Sequence, residues 1–343
     1  MPEPLATIVV TPREQFSKAR RSLESILATT SAEIPLVYVD GNSPRSLARY
    51  VQDRAQQRGF TLIRTPYLLA ANQARNLALP HVHTKYVVFV DNDVYVEPGW
   101  LERLVACAEE TNAWAVGPLY LIDDPAKQIV HMAGAELRII DEDGHRRLHE
   151  HHRFSNQPMA KVRSSLVRES VDLVEFHCML VRMEAFKQLG PLDEQLLSFL
   201  DHVDFCIDVA GAGGSIYLEP AAVVTHLAPP PYALSDLPCF FLRWSDRWME
   251  PSIRRFAEKR RLDATDKDFD AHRQFRDGHR LRLLGRARGA VRRLIGFRGL
   301  NVTDRFVTNV VFNRLIERTI VRSLERRRAG SRDQITAEPA ART

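Results

Sequence analysis

The sequence contains no run of about 18 uncharged apolar residues, so no membrane-spanning helix is expected from it. Its first 30 positions lack the basic, apolar and small-residue sections of a secretory leader, and the expectation is a cytoplasmic protein. Cysteine is scarce: Cys107, Cys178, Cys206 and Cys239 stand far apart with no CxxC pair. Reduced structural thiols are expected, not a zinc site or a disulfide framework. Internal repeats and low-complexity tracts are missing too, which excludes solenoids and linker-type chains. What is present suits a folded protein. The 343 residues are 45% apolar and 27% charged, enough for one large α/β domain with an appendage and far from a disordered composition.

Charge is unevenly placed. Residues 1–251 carry 24 Lys and Arg against 32 Asp and Glu, residues 252–330 carry 22 against 9, and the last 13 balance. This suggests a domain over 1–250, a basic and mainly helical region over 251–330, and a disordered tail over 331–343. Arginines from Arg280 to Arg328 alternate with Leu, Ile, Val and Phe. Such helices either lie on an anionic membrane surface or pack on the domain or a sister chain with their arginines solvated. The segment has no recognised nucleic-acid motif and the body is acidic, so no nucleic-acid partner is expected.

The first 125 residues alternate β-branched apolar runs with helical patterns, the mark of parallel strands joined by crossover helices. Strands are expected over 6–10, 36–39, 61–64, 86–90 and 114–120, with helices over 16–28, 46–58, 70–79 and 98–110. Residues 131–140 read as a hairpin arm turning at 141–144, and 145–170 as a loop over the site. Further strands are expected over 174–182, 215–218 and 222–226, and helices over 183–189 and 201–210, with Ala228 to Pro231 closing the regular part.

The apolar run 86–90 stops at Asp91-Asn92-Asp93. In open α/β sheets ligands gather beyond the carboxyl ends of strands, and paired hard carboxylates suit a magnesium or manganese ion that bridges a pyrophosphate. Residues 176–226 add a strand, an Arg-x-Glu-x-Phe helix start at Arg182, a Gly-x-Leu-Asp-Glu turn at Gly190, and an acidic helix start at Asp201. With Thr11, Asp40, Ala74-Arg75-Asn76 and Asp91-Asn92-Asp93, this order resembles family 2 glycosyltransferases of the GT-A superfamily over about residues 5–250. The resemblance implies a Rossmann-like nucleotide-diphospho-sugar transferase domain and a UDP-sugar donor. It implies a glycan or glycolipid acceptor in cell-surface polysaccharide or glycoconjugate synthesis, and a divalent metal, Mn2+ or Mg2+.

Carried over position by position, the resemblance puts Thr11, Pro12 and Arg13 beside the base, Asp40 on a uracil-like edge, Arg75 and Asn76 near the nucleotide, and Asp91 and Asn92 at the ribose. Asp93 becomes a metal ligand with His226 as a second. On turn statistics alone Asp40 is equally a turn or cap carboxylate. The family's usual Glu-Asp-x-Asp is here Asp201-His202-Val203-Asp204. His202 occupies the general-base position, Asp201 competes with it, and Asp204 either orients the site or is the remaining candidate. One base with no carboxylate nucleophile implies inversion. Processive relatives carry Gln-x-x-Arg-Trp where this chain has Trp244, Arg247 and Trp248, so a non-processive enzyme is expected, with these three as acceptor-side candidates. A catalytically inactive sugar-nucleotide scaffold of the same fold is the competing reading, and an oligomer is compatible with either.

Overall fold

The computed structural model describes residues 3–142, 144–227, 231–263 and 268–337. In the first half the strands and helices are β1 (Ala6–Thr11), α1 (Ala19–Thr29), β2 (Leu36–Gly41), α2 (Arg45–Arg58), β3 (Thr61–Thr65), α3 (Ala71–Ala78), β4 (Tyr86–Asp91), β5 (Val94–Val96), α4 (Trp100–Thr111) and β6 (Ala115–Ile122). Then come β7 (Ile129–Met132), β8 (Ala135–Glu142), β9 (His145–His152), α5 (Met159–Val162), β10 (Glu169–Ser170), β11 (Cys178–Arg182), α6 (Met183–Leu189), α7 (Asp201–Gly211) and β12 (Ile216–His226). Helices α8 (Leu237–Arg243), α9 (Asp246–Arg260), α10 (Asp268–Arg282), α11 (Gly285–Phe306), a π-helical stretch (Val307–Val321) and α12 (Arg322–Ala337) follow.

One mixed sheet runs β10-β12-β6-β11-β4-β1-β2-β3, with β5 beside β12 and β7 beside β6. The neighbours β4-β1-β2-β3 are parallel, whereas β11 runs antiparallel between β4 and β6. Every residue of β4 is buried, as an unbroken Val/Phe run between two strands requires. Burying each such side chain contributes about 1.5–3 kcal/mol. The carboxyl ends of β1 and β4 lie level, Thr11 opposite Asp91. Reversal of β11 brings its amino end to that same edge, where the Asp91 N–H donates to the His177 carbonyl at 3.0 Å. Strand β12 ends there as well, His226 pairing with Val94 and Ile122.

Three expectations are corrected. Residues 145–152 are not a loop: they form β9, paired with β8 along its whole length. The polar string HRRLHEHH hides its period because among its side chains only Leu148 is buried. The arm expected over 131–140 is two strands, broken where Gly134 takes φ +69°, and a Cβ there would meet the Val171 side chain at 2.6 Å. The two strands expected at 215–226 are one, with a bulge between Glu219 and Val223. The boundary at 250/251 falls inside α9, which carries Pro251 within it. Of the stretch expected to be a disordered tail, residues 331–337 belong to α12, and 338–343 lie outside the described residues, as do 228–230 of the proline-rich turn.

The basic region is tied to the acidic body by ion pairs. Arg255 meets Asp193 at 2.7 Å, Lys259 meets Asp204 at 2.7 Å, and Arg260 also holds Asp204. Arg280 is almost fully buried, donating to the Trp244 carbonyl at 2.7 Å and pairing with Asp246 and Glu317. The opposite charges of the two regions are thus partly mutual. Among the described residues no helix is long and apolar enough to cross a membrane.

Candidate active site

The strand ends open into a cavity of about 410 Å³ whose lining includes Arg13, His131, Glu175, His177, His202 and Trp244, with α10 closing one side through His272 and Phe275. Its floor follows from the β4 terminus. Asn92 fixes the bend, its N–H donating to the Thr11 carbonyl at 2.8 Å while its Oδ1 accepts the Arg13 N–H at 3.0 Å. Asp93 is thereby turned inward, fully buried, and neither of its carboxylate oxygens has a hydrogen-bond partner among the described residues. His226 Nε2, also without a hydrogen bond there, stands 3.7 Å from Asp93 Oδ1. Glu14 brings a third donor, and the ligand atoms of Glu14, Asp93 and His226 lie within 4.8 Å of one another. Burial opposes charging of the His226 imidazole, yet Asp93 and Glu14 raise its pKa above the usual value. Buried carboxylate oxygens without donors are costly unless a cation or ordered water completes them. The donor set fits a divalent metal.

A second layer consists of two buried arginines and two buried aspartates. Arg75 Nη1 donates to Asp201 Oδ2 at 2.6 Å and its Nη2 to Asp91 at 3.3 Å. Arg13 reaches the same pair at 3.2 and 3.5 Å. Burial alone would raise the Asp91 carboxyl, but Arg13, His177 and Arg75 hold it down at about 2. Asp201 lies well below the usual carboxylate range, since against burial it faces Arg13, His202 and Arg75. A carboxylate held this firmly ionised is a weak proton acceptor. His202, next along α7, also lines the cavity, its Nδ1 3.6 Å from Asp201 Oδ1. The turn before it is strained: Leu200, not a glycine, takes φ +66° to start α7 at this angle.

The structure therefore divides the sequence candidates. Arg13, Asp201, His202, His226 and Trp244 line the cavity, and Asp93 lies directly beneath it. Thr11, Pro12 and Asn92 shape the strand ends; Pro12 packs where a Cβ on Gly41 would meet it at 3.0 Å. Asp40 accepts from Ser43 N and Oγ at 2.8 and 2.9 Å and pairs with Arg64, so it serves the turn. Arg75 and Asp91 are spent on internal pairs, and neither faces the cavity. Asn76 exchanges hydrogen bonds with the Leu192 backbone, fixing the turn before α7. Asp204 points away from the cavity to Lys259 and Arg260. Trp248 packs under Arg328 and Arg247 is exposed, so Trp244 is the single cavity residue of that trio. Sequence reasoning missed Glu14, His131, Glu150, Glu175 and His177. Glu175-Phe176-His177 before an apolar strand carried a readable signal, two ligand types on one face of an extended segment.

Residues 7–190 match glycosyl transferase family 2. The chain belongs to that family. It is 27% identical over 223 residues to the pre-mycofactocin glycosyltransferase of Mycobacterium tuberculosis, covering 64% of this chain and 42% of that protein. It is also 26% identical over 229 residues to the uncharacterized protein y4gI of Sinorhizobium fredii, covering 65% and 24%. The chain thus spans less than half the length of these relatives. Two solved structures share the fold. One is GalNAc-T7 with UDP, GalNAc and Mn2+, with TM-score 0.51, 16% identity and coverage of 80% of this chain and 54% of that one. The other is the mannosyltransferase PcManGT from Pyrobaculum calidifontis in complex with GDP-Man and Mn2+, with TM-score 0.50, 14% identity and coverage of 96% and 87%. The family 2 chain thus has the GT-A fold, a curled parallel and antiparallel sheet with C-terminal helices added.

Proposed function

We propose that this family 2 chain moves a sugar from a nucleoside diphosphate donor to an acceptor hydroxyl, using a divalent cation, Mn2+ or Mg2+, held by Asp93, His226 and Glu14. The observation that carries this reading is the convergence of those three side chains, with the carboxylate of Asp93 and Nε2 of His226 lacking hydrogen-bond partners among the described residues, on the cavity that His202 lines. When bound, such a cation offsets the charge that gathers on a diphosphate leaving group. UDP-sugars are the expected donors from the family resemblance. The two neighbours, solved with UDP and with GDP-Man, bracket the nucleotides to try.

The chain's own groups supply the rest. His202 takes the acceptor proton, while Asp201, clamped by Arg13 and Arg75, positions the first turn of α7. The other cavity carboxylates, Glu150 and Glu175, face histidine partners, which supports one displacement with inversion over a double displacement through a carboxylate nucleophile. Trp244, held by its Nε1 bond to Glu14 at 2.7 Å and stacked on His279, lines the cavity and is the acceptor-side candidate. Leu294, Val302, Phe306 and Leu315 are exposed on the arginine-rich helices. They support contact with an anionic membrane carrying a glycolipid acceptor, which flotation of a Leu294→Glu, Leu315→Glu variant with anionic vesicles tests.

A panel of nucleotide sugars incubated with the purified chain and Mn2+ tests the reaction. Slow hydrolysis of at least one donor, abolished by EDTA, is expected. Equal hydrolysis with and without EDTA removes the metal from the reading, and none of any donor removes the activity.

A further inference from the structure

His131, Glu175 and His177 form a second cluster of ligating groups in the cavity wall, separate from Glu14, Asp93 and His226. His131 Nε2 lies 3.0 Å and His177 Nε2 3.6 Å from one oxygen, Glu175 Oε2. That oxygen is buried and makes no hydrogen bond among the described residues. A four-coordinate ion with ligand bonds of about 2.0–2.2 Å sets its donor atoms roughly 3.3–3.6 Å apart. The observed spacings are close to that.

The tautomer of His177 gives an independent indication. Its Nδ1 is 2.9 Å from Asp91 Oδ2, a carboxylate oxygen that accepts, so the contact places the imidazole N–H on Nδ1. Nε2 is then left with its lone pair directed at the cluster, the carboxylate-histidine arrangement that orients metal-bound imidazoles. The backbone is equally fixed: the Tyr120 hydroxyl donates to the Glu175 and Cys178 carbonyls at 2.8 and 2.9 Å and accepts the Glu175 N–H at 3.0 Å. Strand β7 delivers His131 from the other side, its side chain about one-fifth exposed to the cavity. The His177 and His226 rings stack with centroids 4.0 Å apart, so the two clusters share a wall.

From this geometry we infer that His131, Glu175 and His177 bind a second divalent cation beside the Asp93 centre. Two imidazole nitrogens and one carboxylate favour a transition ion such as Zn2+ over Mg2+ or Ca2+, which take oxygen ligands. The three ligands leave a coordination position on the cavity side, open to water or to an oxygen of a bound molecule. This site goes beyond the transfer reaction and does not depend on it, because the ion is held by side chains alone.

Equilibrium dialysis of the full chain against Zn2+, without nucleotide, reads it directly. Wild type is expected to hold one equivalent more than His131→Ala and one more than Glu175→Gln, while Asp93→Asn keeps that equivalent. Exposed histidines of the β8–β9 hairpin are unchanged in all of them, so weak binding there cancels. Glu175→Gln keeps the side-chain shape, and a thermal melt of each variant shows that it is folded. Equal zinc content in wild type and both cluster variants overturns the site. If the Asp93 centre took no zinc, wild type would hold one equivalent and His131→Ala none, and the second site would still stand.

Discussion

Replacement of His202 by alanine is expected to lower sugar transfer about 10²- to 10⁴-fold, the usual contribution of a positioned general base. Binding of the nucleotide is expected to stay near normal, because His202 lines the cavity and is not among Glu14, Asp93 and His226, the residues proposed to hold the cation. The expectation rests on a division of labour within one helical turn. Asp201 is committed to Arg13 and Arg75 and is held ionised, so it has little affinity for a proton. Asp204 faces Lys259 and Arg260, away from the cavity. Transfer assayed by release of the nucleoside diphosphate, beside calorimetric binding of the same nucleotide, separates the two effects. Near-wild-type transfer by His202→Ala would remove it as the base.

Asp201→Asn is expected to act on stability. Breaking a buried charge pair costs about 3–5 kcal/mol because the partner is left uncompensated; the lower end applies here, since Asp91 still faces both arginines. The sign with pH follows from the depressed carboxyl. A group whose folded pKa lies below its unfolded value of about 3.9 stabilises fully above that value, and the contribution fades as pH falls through the folded one. Denaturant titrations should therefore show the full deficit at pH 7 and a smaller one near pH 3. A deficit under about 1 kcal/mol at pH 7, or one that grows in acid, contradicts the clamp.

Much of this site was legible in the sequence because chemistry and strand pattern coincided. The run Tyr86–Val90 could only be an interior strand, and a carboxylate pair at its end had to meet whatever the neighbouring strand ends carried. His226 was readable for the same reason. What was hidden depended on long-range pairing. Asp40, Asn76 and Asp204 have residue types suited to a site, but each meets a partner that local pattern does not reveal: Arg64, the Leu192 backbone, and Lys259 with Arg260. Glu14 sits one residue past a recognised motif and comes beside Asp93 and His226 only through the long-range meeting of the strand ends. The charge break near Pro251 is real in the sequence, and the two regions it separates meet through ion pairs. Arg255 of α9 answers Asp193 of the body, Arg276 of α10 pairs with Asp246 at the start of α9, and α10 closes the cavity.

Calorimetric titration of UDP and GDP into wild type and Asp93→Ala, each with and without Mn2+, tests the central claim most directly. Wild type is expected to bind at least one of the two nucleotides tightly only with Mn2+ present, and Asp93→Ala, folded by its thermal melt, to lose that metal-dependent affinity. Binding by Asp93→Ala that matches wild type in the presence of Mn2+ would contradict the account.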